Sequence, residues 1–305
     1  MADPEESGRY WDVANVQPRE DVRYWLAVLE IRRGVNALLT GDPDKLFIQQ
    51  FLERFRDRWP LRKALSVGCG AGELERGALG LGAFERAEGI DVSEGSLELA
   101  RKLADEASVG DRVHYEKAAA LSGMRRRLEA GERYDVLFFH GILHHVEDLE
   151  GVLECAGELV RGGDPGLVYV DEYVGPSRNE WSEEHLGFAA GLFSRVPHEH
   201  RRTPHVWPPI AMDDPTEMIR SAEIPRLVRQ HLDVVEEHPY YGDVLAPLVC
   251  AIRGSALEVP EVRAVWREAV ELERHLASRG LLESLYRIFV ARPPVRTTSA
   301  ATRTP

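Results

Sequence analysis

The sequence predicts an α/β protein in which a mostly parallel sheet carries helices on both faces. Short apolar runs alternate with helical stretches between residues 61 and 173. A glycine-rich turn, Gly68 to Gly72, follows the first run, and the second run ends on an acid, Asp91. Alternation of this kind builds a parallel sheet, because the chain needs a crossover helix to return between parallel strands.

Length and composition favour one large α/β unit with an added cap. The chain has 305 residues, of which 44% are hydrophobic, and a formal net charge of −13. This acidic balance argues against a surface that holds phosphate backbones, so we expect no nucleic-acid partner. The three cysteines are widely spaced, and no apolar run approaches the roughly 18 residues that span a bilayer. We therefore expect a cytoplasmic protein without membrane contact or disulfides, with a homodimer as one possible assembly.

The first 60 residues are predicted to form a helical N-terminal cap. Apolar residues recur there at helical spacing, and Gly41-Asp42-Pro43 divides the stretch into at least two helices. Two aromatic pairs, Tyr10-Trp11 and Tyr24-Trp25, either cover a pocket or pack the cap onto the rest of the protein.

The predicted core runs from residue 61 to residue 292. Strands are expected near 64–67, 86–91, 112–116, 134–139, 166–172, 232–237 and 285–291. Helices are expected near 72–80, 94–107, 121–130, 149–160, 216–229, 244–253 and 260–278. Residues 174–215 break this rhythm and are too long for a simple connection, which predicts a lid over the site. The Thr-, Arg- and Pro-containing tail, 293–305, is predicted to be disordered.

The turn after the first strand indicates a nucleoside-type ligand. Gly68, Gly70 and Gly72 follow the pattern G-x-G-x-G, whereas a dinucleotide fingerprint would place its third glycine where Glu73 stands. Glycine lets the backbone turn sharply and leaves no side chain between the chain and a ligand. Asp91 follows Gly70 at nearly the spacing of about 20 residues that suits an acid holding a ribose. An ordinary strand-to-helix turn is the alternative.

This turn resembles the first motif of the class I S-adenosylmethionine-dependent methyltransferases. Residues 134–146, with their histidine pair, look like the fourth motif of that family, and the turn at 162–166 looks like a later one. The segments 171–181 and 214–221 are similar to a subgroup associated with sugar and natural-product chemistry. The resemblance covers about 60–292 and implies a Rossmann-like, seven-stranded sheet whose last strand is antiparallel.

The resemblance implies S-adenosylmethionine as the cofactor. The glycines would shape the turn around its methionine part, Asp91 would hold the ribose, and the backbone of His140 would meet the amino group. Small residues follow the third strand, where the family often has an acid or amide, so the adenine contacts fall to backbone and apolar groups. The cofactor-binding residues predicted are Gly68, Cys69, Gly70, Gly72, Asp91, Val92, Ala119 and His140.

Methyl transfer to a hydroxyl also requires a group that takes the proton. Imidazole is suited to this near neutral pH, and His144 and His145 follow the fourth strand, at the mouth of the predicted cleft. We favour His145 as the base and His144 second, with Glu172 orienting the acceptor or serving as base. Capping or packing of the histidines, and a pairing of Glu172 with Arg178, are the structural alternatives.

The acceptor is expected to meet the start of the lid. The predicted substrate-binding residues are Tyr173, Arg178, Trp181 and His185. The further lid histidines at 198, 200 and 205 match no familiar zinc or facial-triad spacing, so no metal is predicted. The favoured function is O-methylation of a sugar-like or secondary-metabolite hydroxyl on a small molecule. Transfer to carbon or nitrogen, or a cofactor-binding scaffold without catalysis, are the alternatives.

Overall fold

One seven-stranded sheet forms the centre of the computed structural model, which describes residues 4–14, 25–210 and 214–295. Its strands are β1 (Leu61–Val67), β2 (Phe84–Asp91), β3 (Val113–Lys117), β4 (Val136–His140), β5 (Leu167–Tyr173), β6 (Asp233–Pro239) and β7 (Tyr286–Arg292). They lie in the order β3-β2-β1-β4-β5-β7-β6, and β7 runs antiparallel to both of its neighbours. The predicted seven-stranded, mostly parallel sheet with an antiparallel last strand is confirmed.

Helices cover both faces of this sheet. Those of the described residues are α1 (Pro4–Ala14), α2 (Leu29–Thr40), α3 (Phe47–Glu53), α4 (Glu73–Gly80), α5 (Glu94–Glu106), α6 (Ala120–Glu129), α7 (Leu149–Val160), α8 (Glu183–Phe193), α9 (Ile224–His231), α10 (Leu245–Ala251) and α11 (Pro260–Ser278). None of them combines the length and the apolar character that a bilayer-spanning segment requires.

The helix predicted at 216–229 is wrong in its first half. Residues 216–223 form turns and a short 3-10 segment, and α9 begins only at Ile224. The carboxylate of Asp214 accepts hydrogen bonds from the backbone N–H and the hydroxyl of Thr216, at 2.8 and 2.7 Å. Such local bonds from an aspartate compete with helical hydrogen bonding, which keeps this stretch out of the helix.

Two hydrophobic clusters cover the two faces of the sheet. One cluster joins Trp25 and Phe51 of the N-terminal region to Phe138 and Tyr169 of the strands, so the first helices share a core with the sheet. Trp25 is buried and stacks on Tyr240, with 6.1 Å between ring centroids. This aromatic side chain therefore packs the cap, whereas Tyr24 lies outside the described residues.

The segment 174–215 includes regular structure. Its helix α8 packs against α10, and Arg201 forms an isolated bridge with Ile252. Residues 211–213 are not described, and of the predicted disordered tail only 293–295 are. The break predicted at Gly41 is present, since α2 ends there with a left-handed φ of 79°.

Candidate active site

The glycine turn follows β1 at the carboxyl edge of the sheet. Gly68, Gly70 and Gly72 have φ values of 69°, 52° and 69°, a region that glycine adopts without strain. A Cβ on Gly68 would lie 2.5 Å from the side chain of Ile142, so the turn packs tightly against the loop after β4. The turn and that loop therefore face the same space.

That space is a cleft of about 650 Å³. Of the predicted cofactor-binding residues, five line it: Gly68, Gly70, Asp91, Val92 and Ala119. The other three, Cys69, Gly72 and His140, are not among the lining residues. A Cβ on Gly72 would lie 2.1 Å from the hydroxyl oxygen of Tyr115. The residue after His140, Gly141, does line the cleft. The Nε2 atom of His140 lies 3.5 Å from the Asp171 carboxylate.

Asp91 connects the glycine turn to the start of α5. Its Oδ2 accepts a hydrogen bond from the backbone N–H of Gly70 at 2.8 Å, and its Oδ1 accepts one from Ser93 at 2.9 Å. Burial raises the pKa of this carboxyl, although the bonds from Ser93 and Gly70 oppose that effect. Each oxygen retains a second lone pair, so Asp91 can still accept bonds from a ligand in the cleft.

Helix α1 closes one side of the cleft. Ser7 and Trp11 line it, and Asp12 accepts hydrogen bonds from the hydroxyl of Ser93 at 2.8 Å and from the backbone N–H of Gly95 at 2.9 Å. The carboxylate of Asp12 therefore binds the N-terminus of α5, where an anion is favoured. The aromatic pairs were expected either to cover a pocket or to pack the cap onto the protein, and Trp11 lines a pocket.

Glu172 holds the loop that carries the histidines. Its side chain is 1% exposed, and one oxygen accepts hydrogen bonds from the backbone N–H groups of Ile142 and Leu143, at 2.9 and 2.6 Å. Its other oxygen lies 2.5 Å from Nδ1 of His144. Burial alone would lower the pKa of His144, but the Glu172 carboxylate outweighs it and raises that pKa to about 9.

His145 is the histidine that lines the cleft. Its Nδ1 lies 3.0 Å from the hydroxyl oxygen of Thr216, and its ring meets Trp11 edge-on at 5.8 Å between centroids. Burial and the neighbouring His144 lower the pKa of His145 well below its usual value. Its Nε2 lies 3.8 Å from a carboxylate oxygen of Glu217.

Asp214 links α1 to this group, a contact that the sequence reasoning missed. One of its oxygens accepts hydrogen bonds from the hydroxyl of Ser7 at 3.1 Å and the indole N–H of Trp11 at 2.9 Å. Its other oxygen binds Thr216, which holds His145. The segment 214–221 resembled a subgroup motif, which marked it as notable, but nothing in the sequence connected it to the histidine pair.

Three of the predicted acceptor residues, Tyr173, Arg178 and Trp181, are not among the residues that line the cleft. Tyr173 is buried and its hydroxyl donates to the Pro176 carbonyl at 3.0 Å. The Arg178 guanidinium donates to the backbone carbonyl of Asp214 at 2.6 Å, so the partners found for Glu172 are His144 and backbone groups. Trp181 packs against Tyr173. The side chain of His185 lies outside the described residues.

Comparison with known proteins agrees with this geometry. A family model described as a methyltransferase domain matches residues 65–163. Ubiquinone biosynthesis O-methyltransferase from Azorhizobium caulinodans is 32% identical over 129 residues, which is 42% of this chain and 48% of that protein. The protein of the same name from Shewanella sp. (strain ANA-3) is 35% identical over 108 residues, 35% of this chain and 42% of that protein. The chain thus spans less than half the length of these relatives.

A solved structure supports the fold alone. The crystal structure of the cyclase SpnF covers 97% of this chain, and 98% of its own chain is covered, with a TM-score of 0.50 and 16% identity. The sheet order, the glycine turn, the placement of Asp91 and the matched family model all lead to the same assignment. Residues 65–163 match a methyltransferase domain, and the sheet order is the one expected of a class I S-adenosylmethionine-dependent methyltransferase.

Proposed function

We propose that this protein transfers a methyl group from S-adenosylmethionine to a small-molecule acceptor. The observation that carries the proposal is one cleft lined by two kinds of residue. Gly68 and Gly70 of the glycine turn, together with Asp91, line it, and so does His145. Binding groups and a proton-handling group thus meet in one space, as a transfer reaction to a hydroxyl requires.

The lining of the cleft fits the cofactor. S-adenosylmethionine supplies a methyl group on a positively charged sulfur, which is already activated for transfer. Asp91 has free lone pairs for ribose hydroxyls, and Val92, Ala119 and Leu121 offer apolar surface for a base. Among the described residues that line the cleft there is no Lys or Arg, while Asp91, Glu147 and Asp148 are acidic. A cation is therefore not repelled there.

We further propose that the atom methylated is a hydroxyl oxygen. The matched relatives are named as O-methyltransferases, which supports this choice. As the bond from oxygen to the methyl carbon forms, the bond from that carbon to sulfur breaks, and its electron pair remains on sulfur. The hydroxyl proton must leave, and we assign its removal to the histidines. His145 takes it directly as a base, with Thr216 fixing the ring, or the pair acts through a cation that it holds.

The substrate class we propose is a neutral sugar-like or secondary-metabolite hydroxyl compound. The cleft is limited in volume and partly closed by Trp11, which suits a small acceptor. The net charge of −13 and the acidic lining disfavour nucleic acid and other polyanions. We place the reaction in the cytoplasm, which is consistent with three cysteines that remain free thiols.

Calorimetry with S-adenosylhomocysteine and a methyl-transfer assay on a panel of sugars and phenols test the proposal together. We expect binding of S-adenosylhomocysteine, and turnover with a hydroxylated acceptor that falls at least tenfold in His145→Ala while the affinity for S-adenosylhomocysteine is retained. His198→Ala, in the exposed part of the lid, is the matched control and should behave as wild type. Absence of S-adenosylhomocysteine binding would refute the proposal, and full turnover in His145→Ala would remove the histidine from it.

A further inference from the structure

Three carboxylates are buried in the wall behind His145. Glu172, Asp214 and Glu217 are 1%, 0% and 7% exposed. The side-chain donors to Asp214 are the hydroxyls of Ser7 and Thr216 and the indole of Trp11, which are all neutral.

Among the donors to Glu172, only His144 can carry a charge. Buried carboxylates are costly unless they are paired or coordinate a metal. His144 and Arg178 supply positive charge beside Glu217, and a bound cation would add to it.

The same group presents three ligand atoms to one point. His144, His145 and Glu217 each offer a nitrogen or oxygen atom, and these atoms all lie within 4.8 Å of one another. Because Nδ1 of His144 faces Glu172 and Nδ1 of His145 faces Thr216, the Nε2 atom of each ring remains for a metal. Ligands around a tetrahedral zinc ion, with bonds of about 2.0–2.1 Å, are roughly 3.4 Å apart. Nε2 of His145 and the Glu217 oxygen are 3.8 Å apart, which is close to that spacing.

The partners behind these rings are those that metal sites use. A histidine that binds a metal usually donates its other N–H to a carboxylate or a comparable acceptor, which fixes the ring and makes it a better ligand. Glu172 occupies this position on His144, and Thr216 occupies it on His145. Two imidazoles and one carboxylate form the ligand set of catalytic zinc and non-haem iron sites, which leave at least one position open.

We propose that His144, His145 and Glu217 bind a divalent transition-metal ion of the zinc class, with an open coordination position towards the cleft. His145 and Thr216 both line the cleft, so an acceptor oxygen can approach the ion from there. The binding of the ion is independent of the proposed function. Its role rests on that function: the ion lowers the pKa of the acceptor hydroxyl, the proton passes to water, and His145 acts as a ligand.

Metal titration of the purified full-length protein tests this site directly. The protein is stripped with a chelator and titrated with Co²⁺, whose visible absorption reports coordination, and with Zn²⁺ in competition. We expect one ion per chain, and a loss of affinity of at least tenfold in His145→Gln and in Glu217→Gln. Glu172→Gln keeps all three ligands and should weaken binding by 10–100-fold, as an outer partner does. His198→Gln and Glu199→Gln in the lid are the matched controls and should bind as wild type does.

The outcomes separate this inference from the proposed function. Failure of the wild-type protein to bind either ion overturns the inference, as does unchanged affinity in Glu217→Gln or an equal loss in the lid controls. Circular dichroism of each metal-free variant shows whether it has folded, and Glu172→Gln provides a second, milder variant if a ligand replacement unfolds. S-adenosylhomocysteine binding is measured on the stripped protein. If it binds there and turnover persists without metal, the methyltransferase proposal stands and the catalytic role of the ion falls.

Discussion

Replacement of Asp91 by alanine should weaken the binding of S-adenosylhomocysteine by at least tenfold. Asp91 is the last residue of β2 and lines the cleft, and each of its oxygens accepts a backbone hydrogen bond. A hydrogen bond to a charged group contributes about 1.5–3 kcal/mol, so two bonds to a ribose contribute up to about 6 kcal/mol. Water that fills the space left by the carboxylate restores much of this binding free energy. A loss of at least about 1.4 kcal/mol, which is tenfold, is the conservative expectation.

Isothermal titration calorimetry measures this effect, and two further variants show where it originates. Asp91→Asn keeps one oxygen acceptor and loses the charge, so we expect an intermediate affinity. Glu94→Ala removes the same charge three residues along, at a half-buried position outside the cleft, and should leave the affinity unchanged. A dissociation constant for Asp91→Ala within threefold of wild type would show that this acid does not hold the ligand.

Three further predictions test the cap, the turn and the buried charge. Trp11→Phe loses the indole hydrogen bond to Asp214, so α1 should close the cleft less firmly. S-adenosylhomocysteine should then dissociate several-fold faster, as measured by stopped-flow, and an unchanged dissociation rate would contradict this. Gly72→Ala places a Cβ 2.1 Å from the Tyr115 hydroxyl at a left-handed φ, and should lower the free energy of unfolding by at least about 1 kcal/mol, whereas Gly77→Ala meets open space and should not. Burial raises the pKa of Glu75 from 4.5 to about 7, so its contribution to stability is complete below pH 4.5 and is lost as the pH rises towards 7. In urea unfolding, the free energy of unfolding of Glu75→Gln should therefore rise relative to that of wild type by up to about 3 kcal/mol across this pH window. A difference between the two proteins that does not vary with pH would refute the raised pKa of Glu75.

The sheet and most helices were predictable because each β–α unit is specified by nearby residues. Helix α11 was predicted with its observed bounds, since Pro260 starts it and its apolar residues recur at helical spacing. The cofactor side of the cleft was predictable for the same reason. The glycine turn and Asp91 belong to one β–α–β unit, whose geometry fixes their relative positions.

The opposite side of the cleft was not predictable, because it depends on contacts between distant segments. Ser7 and Asp214 are 207 positions apart, and their bond exists only because α1 packs across the end of the sheet. Thr216 and Glu217 were assigned to a helix by their local pattern. The side chain of Asp214 overrides that pattern and brings both residues to His145.

The position of β5 in the sheet has a practical consequence for work on the matched segment. Residues 65–163 end before β5 begins, yet β5 is the outer neighbour of β4. In a fragment with those bounds, β4 would become an exposed edge strand with the sequence Val-Leu-Phe-Phe. Exposed edge strands of this kind pair with strands of other molecules. Such a fragment should self-associate during expression, so biochemical studies need the longer chain.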